Sequence, residues 1–152
     1  MTDPLALARA YAERPDLWEH LVHHDPDRRT FELLRDDDEV TAWVICWSED
    51  TDTGYHDHDG SAGAVAVVGG QVIEERLRIG GPPSQRVAGT GDAFSFAGAD
   101  IHRVRHAGGV PAVTIHVYSP PLRRQGAYAI GADGTLTRLV LSEQEELRPL
   151  ES

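Results

Sequence analysis

The chain has 152 residues, 40% of them hydrophobic and 26% charged, with a formal net charge of −11; this is the size and make-up of one globular domain. An acidic excess of that size argues against nucleic-acid phosphates or an anionic membrane surface as the main partner, and no apolar run approaches the roughly 18 residues of a membrane span. All 14 cationic side chains are arginines, which excludes Schiff-base lysine chemistry, and the single cysteine, Cys46, excludes an internal disulfide.

Residues 1–28 read as a helical section. Met1-Thr2-Asp3-Pro4 has no basic stretch and no apolar core behind it, so a secretory leader is not expected and the cytoplasm is the expected compartment. Asp3 is a cap, Pro4 suits the first helical position, and Leu5, Leu7, Ala8, Ala10 and Tyr11 supply an apolar face. Pro15-Asp16 breaks and restarts the helix, and Leu17, Trp18, Leu21 and Val22 form a second apolar stripe. His20, His23 and His24 fall on the polar side, as a solvated surface.

Residues 29–141 read as short strands. Thr30 to Leu34 comes first, then Val40 to Trp47, rich in β-branched and aromatic residues, where Cys46 is expected to be a small buried hydrophobe. Ala62 to Val68 runs into Gly69-Gly70, a hairpin signal, and Gln71 to Ile79 follows. Gly80-Gly81-Pro82-Pro83 reads as a loop. Gln85 to Ala88, Ala93 to Phe96, Ile101 to Val104 and Ala112 to Ser119 continue the series, with His106 expected in a turn beside Gly108-Gly109. Ala127 to Ile130 and Leu136 to Leu141 close it around the turn Gly131-Ala132-Asp133-Gly134. Residues 142–152 are an acidic tail, read as a short helix or frayed end. So many strands at this spacing predict an all-β, mainly antiparallel sandwich or barrel with a short N-terminal helical section.

The histidines then separate by context. In His56-Asp57-His58 the two imidazoles are two residues apart, and in a strand that spacing puts them on one face, where they can bind one metal in cis. His102 follows the turn Ala97-Gly98-Ala99-Asp100, and His116 lies in the strand Val113-Thr114-Ile115-His116-Val117-Tyr118.

Taken together these segments resemble the two motifs of the cupin jelly-roll barrel. His56-x-His58 with Gly70 matches the first motif, and Gly91 with Ala97-Gly98-Ala99 and His102 matches the second. Gly63 stands where many cupins carry an acidic metal ligand. Three-histidine cupins of this kind resemble the cysteine dioxygenase family, the thiol dioxygenases. The specific match is His116-Val117-Tyr118-Ser119-Pro120-Pro121, with Cys46-Trp47, Tyr55-His56-Asp57-His58-Asp59 and His102-Arg103-Val104 in support. The likeness covers roughly residues 30 to 122.

The resemblance implies Fe(II) on His56, His58 and His102, a relay of His116 and Tyr118 with Thr114 supplying the hydroxyl acceptor, a small thiol and O2 as substrates, and a cis Ser119-Pro120 bond. It implies no tyrosine crosslink, because Gly63 has no side chain. The substrate-binding group it points to comes from Arg29, Leu33, Arg35, Trp47 and Tyr55. Leu33 occupies the position where the family carries an Arg or Gln anchor for the substrate carboxylate, and alternation places Arg29, Phe31, Leu33 and Arg35 on one face. Two other readings stay open: a cupin of different chemistry, such as another oxygenation or a lyase reaction, and a non-catalytic metal-binding sensor.

Overall fold

The computed structural model describes residues 2–142. Asp3 caps helix α1 (Pro4–Ala12), its carboxylate accepting from the Leu5 N–H at 3.0 Å. Pro15 opens the short α2 (Pro15–Trp18), which runs into a 3-10 turn at Glu19–Leu21. Everything after it is strand and turn: β1 (Thr30–Asp36), β2 (Thr41–Trp47), β3 (His56–Asp57), β4 (Ala62–Gly69), β5 (Gln71–Arg78), β6 (Gly81–Gly89), β7 (Ala93–Phe96), β8 (His102–Ala107), β9 (Ala112–Ser119), β10 (Arg124–Ile130) and β11 (Leu136–Ser142). They form two antiparallel sheets, ordered β1-β2-β9-β4-β7 and β11-β10-β3-β8-β5-β6. This is the expected cupin jelly roll with its helical section at the N-terminus. Residues 143–152 of the acidic tail lie outside the described residues.

The first sheet is apolar on both faces for two different reasons. Its inner face carries Trp43, Ile45, Trp47, Val65, Phe96 and Tyr118 against Val72 and Val104 of the second sheet. Its outer face carries Ala42, Ala64, Ala66, Ile115 and Val117, and α1 covers these with Ala8, Leu5 and Tyr11. All seven residues of β2 are therefore buried, as a strand covered on both sides requires. Cys46 lies on the outer face under Trp18 and Leu21, and burial pushes its thiol pKa up; it is the buried hydrophobe that the sequence suggested.

Three local expectations are corrected. Gly69-Gly70 is not a hairpin turn, because β4 and β5 belong to different sheets. Gly70 carries the chain across with φ +68°, and a Cβ there would lie 2.6 Å from the Pro111 carbonyl. Gly80 to Pro83 is not all loop: Gly81, Pro82 and Pro83 open β6, at the sheet edge beside a register shift. Proline is tolerated there because an edge strand leaves one side of its backbone unpaired. His106 lies in β8 rather than in a turn. The final turn is as expected, with Ile130 opposite Leu136 in the β10–β11 hairpin.

Candidate metal centre

The second sheet brings the three histidines together. Antiparallel pairing sets His56 of β3 directly opposite His102 of β8. His58 lies just past β3, with its N–H held by the Gly98 carbonyl at 3.0 Å and its ring stacked on Phe96 at 4.5 Å. One ring nitrogen from each of His56, His58 and His102 falls in a set whose members all lie within 4.8 Å of one another.

Alternation sends Asp57, between the first two histidines, the other way. Its carboxylate takes both Arg138 nitrogens at 3.0 Å, the Gly126 N–H at 3.0 Å and the Tyr128 hydroxyl at 2.5 Å. Burial raises its pKa, but these partners outweigh burial and the net shift is downward. A Cβ on Gly126 would lie 2.2 Å from Arg138 Nε, so a side chain there would push the arginine from its present path over β10.

Hydrogen bonds assign the ring nitrogens. His56 Nδ1 donates to the Gly54 carbonyl at 2.9 Å and His102 Nδ1 to Glu74 at 2.7 Å, leaving the opposite nitrogens for another partner. His102 Nε2 and both ring nitrogens of His58 are buried with no hydrogen-bond partner among the described residues. Burial lowers the pKa of His56 to about 4, with Arg29 adding to the fall, and takes His58 and His102 well below the ordinary value, with the neighbouring histidines adding to theirs. Neutral imidazoles are what a cation needs as ligands. Buried nitrogens without partners are costly unless something supplies the missing contact. The site therefore fits a metal ion held by three nitrogens.

Glu74 has no motif to mark it in the sequence. It is 2% exposed and also accepts from Arg76 at 2.9 Å. It orients His102 and would strengthen it as a ligand, as carboxylates behind metal-bound histidines do. The available signal is its place two residues after Val72 on β5, a charge on the inward face.

Gly63 brings no side chain to the candidate site, where the family likeness would allow a fourth ligand. It stands opposite both Phe96 and Tyr118 across β4. A Cβ there would lie 2.3 Å from Phe96 Cε2 and 2.9 Å from Tyr118 Cδ1. The Phe96 ring fills the space.

On the facing sheet, β9 turns Thr114, His116 and Tyr118 inward, all buried. Trp47 Nε1 donates to Thr114 Oγ1 at 2.8 Å, Thr114 Oγ1 lies 2.8 Å from His116 Nε2, and His116 Nδ1 lies 3.4 Å from the Tyr118 hydroxyl. Burial lowers the His116 pKa to about 3, with the nearby His56 and Arg29 adding to it. The Ser119–Pro120 bond that follows is cis, as the family likeness implied.

The five residues expected around the substrate separate. Arg29, just before β1, is buried with its guanidinium 5.6 Å above the Trp47 ring. Its Nη1 has no hydrogen-bond partner among the described residues. Burial lowers its pKa to about 10, while Asp52 and Tyr118 oppose the fall. Trp47 lies beneath it, stacked at 6.3 Å on His116. Leu33 is 47% exposed, and Arg35 pairs with Asp37 at the surface at 2.6 Å. The register is unbroken from Thr30 to Leu33, so Leu33 keeps the face of Phe31 and is exposed there, while the shift between Leu33 and Arg35 takes Arg35 off that face. Tyr55 is half-buried, its hydroxyl donating to Glu75 at 2.8 Å and its ring under Arg103.

A cavity of about 10 Å³ lies between the two groups, lined by His56, His102, His116, Tyr118, Thr53 and Gln125. That is room for about one water. Gln125, like Glu74, carries no sequence signal of its own: the apolar pattern of β10 starts only at Ala127, two residues later.

The family model "Cysteine dioxygenase type I" matches residues 3–130. A curated relative, cysteine dioxygenase type 1 of Danio rerio, is 27% identical over 128 residues, which is 77% of this chain and 64% of the relative. This chain thus spans less than two thirds of that relative's length. Among solved structures, TT1209 from Thermus thermophilus is similar with TM-score 0.60 and 16% identity, over 68% of this chain and 93% of that one. A double-stranded β-helix protein from Klebsiella pneumoniae has TM-score 0.59 and 12% identity, over 82% and 88%. A cupin superfamily protein from Desulfitobacterium hafniense has TM-score 0.57 and 11% identity, over 68% and 87%. At these identities the structures speak for the barrel alone. The family match spans every histidine of the cluster and the Thr114-x-His116-x-Tyr118 strand, and on it this chain belongs to the cysteine dioxygenase type I family of cupins.

Proposed function

We propose that the protein is an Fe(II)-dependent thiol dioxygenase, converting a small thiol acid such as cysteine or 3-mercaptopropionate and O2 to the sulfinate in the cytoplasm. The observation that carries this reading is a cluster of three buried, neutral histidines, joined by no carboxylate ligand among the described residues, facing a buried Thr114–His116–Tyr118 chain. In this reading His56, His58 and His102 hold Fe(II). Bound there, iron supplies redox activation of O2 and lowers the pKa of a coordinated thiol; zinc would supply only the second.

The chain's own residues do the rest. Tyr118 presents its hydroxyl at the cavity and donates a hydrogen bond to the sulfur or oxygen placed there. His116 holds that hydroxyl through Nδ1 and is in turn fixed by Thr114, whose oxygen is pinned by the Trp47 N–H. The low pKa of His116 keeps it uncharged at neutral pH, so it orients without repelling the cation. Arg29 offers its buried Nη1, which has no hydrogen-bond partner among the described residues, to the substrate carboxylate. Phe96 and Trp47 line the interior with apolar surface and exclude water. The overall balance is RS⁻ + O2 → RSO2⁻, with both oxygen atoms ending on sulfur.

The test is oxygen uptake by anaerobically iron-loaded protein with cysteine, cysteamine, 3-mercaptopropionate and mercaptosuccinate. Uptake with stoichiometric sulfinate from at least one of them is expected; none from any of them would overturn the reading. Tyr118→Phe should leave anaerobic thiol binding intact and lower turnover by about a hundredfold or more.

A further inference from the structure

Gln125 carries the strongest unexplained feature of the interior. It is 1% exposed, and its Oε1 is buried with no hydrogen-bond partner among the described residues. Alternation along β10 turns it inward with Ala127, while Arg124 and Tyr128 face outward to Asp59 and Asp57. Pairing of Ala127 with His56 and of Gly126 with Asp57 sets Gln125 beside the histidine cluster. There it lines the small cavity together with His56, His102, His116 and Tyr118. A buried carbonyl oxygen with no donor is uncommon in a folded interior, and on a residue that lines the cavity of the candidate site it is a waiting contact.

We propose that Gln125 is a specificity-determining residue, its Oε1 accepting a hydrogen bond from an ammonium or hydroxyl group carried next to the carboxylate of the bound thiol acid. The proposal rests on the thiol-dioxygenase reading of this site. Arg29 offers a buried donor without a partner and Gln125 a buried acceptor without one. A thiol acid bearing both a carboxylate and a neighbouring N–H or O–H satisfies the pair. One lacking the second group leaves Oε1 buried and unmatched, and sites built to bond such a group reject the analogue that lacks it.

The experiment is calorimetric binding of L-cysteine and 3-mercaptopropionate to anaerobic, iron-loaded protein, where no turnover occurs. Wild type should bind cysteine at least about tenfold more tightly, in the range of one good hydrogen bond to a charged group. Gln125→Met, of similar length and shape, should abolish that preference by weakening cysteine alone. Gln125→Glu keeps an acceptor and should restore it. Thermal melting of each variant reports folding, and Gln125→Leu serves if Gln125→Met does not fold. An unchanged ratio, an equal loss for both ligands, or no binding of either ligand to wild type would overturn the proposal. Oxygen uptake is scored separately. Selective binding without uptake sinks the dioxygenase reading and leaves Gln125 in its role; uptake with an unchanged ratio does the reverse.

Discussion

Glu74 and His102 meet at 2.7 Å with neither side chain more than 2% exposed. The carboxylate is anchored in turn by Arg76, so His102 has its Nδ1 proton fixed and its Nε2 directed at the cluster. Glu74→Gln keeps the shape and removes the charge. It should weaken metal binding by about ten- to a hundredfold, the usual effect of losing such a support. Competition with a chelator of known affinity measures this. Unaltered affinity would reduce Glu74 to a partner of Arg76.

Arg29 is buried while Leu33 and Arg35 face solvent. Arg29→Met should raise the dissociation constant of 3-mercaptopropionate by roughly a hundredfold, the effect of losing a charge-assisted pair in a dry site. Cysteamine, which has no carboxylate, should bind as before. An equal loss for both ligands would make Arg29 a packing residue over Trp47.

The close approach at Gly63 leads to a stability prediction. Gly63→Ala places a methyl inside the Phe96 ring position, an overpacking change that should cost about 1–3 kcal/mol. It should also disturb metal binding, since Phe96 stacks on His58. Adding Phe96→Leu should recover much of the stability in urea denaturation. A fully stable Gly63→Ala single variant would show that the ring moves freely.

Acid should unfold the metal-free protein through its buried histidines. Their folded-state values lie below the unfolded value near 6.5: about 4 for His56, about 3 for His116 and well below it for the other two. Below about pH 6.5 the unfolded chain therefore takes up protons that the folded chain refuses. The stability these groups contribute is complete above that pH and drains away as pH falls through the folded values. At pH 5 the loss is at most about 2 kcal/mol per histidine. Urea midpoints of the metal-free protein at pH 7.5 and 5 should fall accordingly. Equal midpoints would mean that the folded cluster accepts protons.

Much of the fold and of the histidine cluster is legible in the sequence. Period-2 alternation and glycine-rich turns mark most of the strands, and the spacing in His56-x-His58 and Thr114-x-His116-x-Tyr118 marks two inward faces. Three kinds of information are not local. Gly69-Gly70 has hairpin chemistry, but whether a glycine turn pairs its strands or moves the chain between sheets depends on Pro111 and Ala112, far along the chain. Alternation fails at β1, where the register shift after Leu33 leaves Arg29 as the buried cation. Glu74 and Gln125 look like ordinary surface residues, because their burial is decided by partners on other strands.

Asp57 has a consequence for where the functional unit ends. The residue between the two candidate ligands is fastened to Arg138, on the last described strand, across Gly126, which leaves the arginine room. The segment shared with the family stops at residue 130. A chain cut there would keep His56, His58, His102, His116 and Tyr118, yet Asp57 would lose its cation and β10 its outer neighbour. The closing hairpin acts as a buckle on the strap that carries the first two histidines, and the unit that holds the three histidines in this geometry extends to at least Arg138.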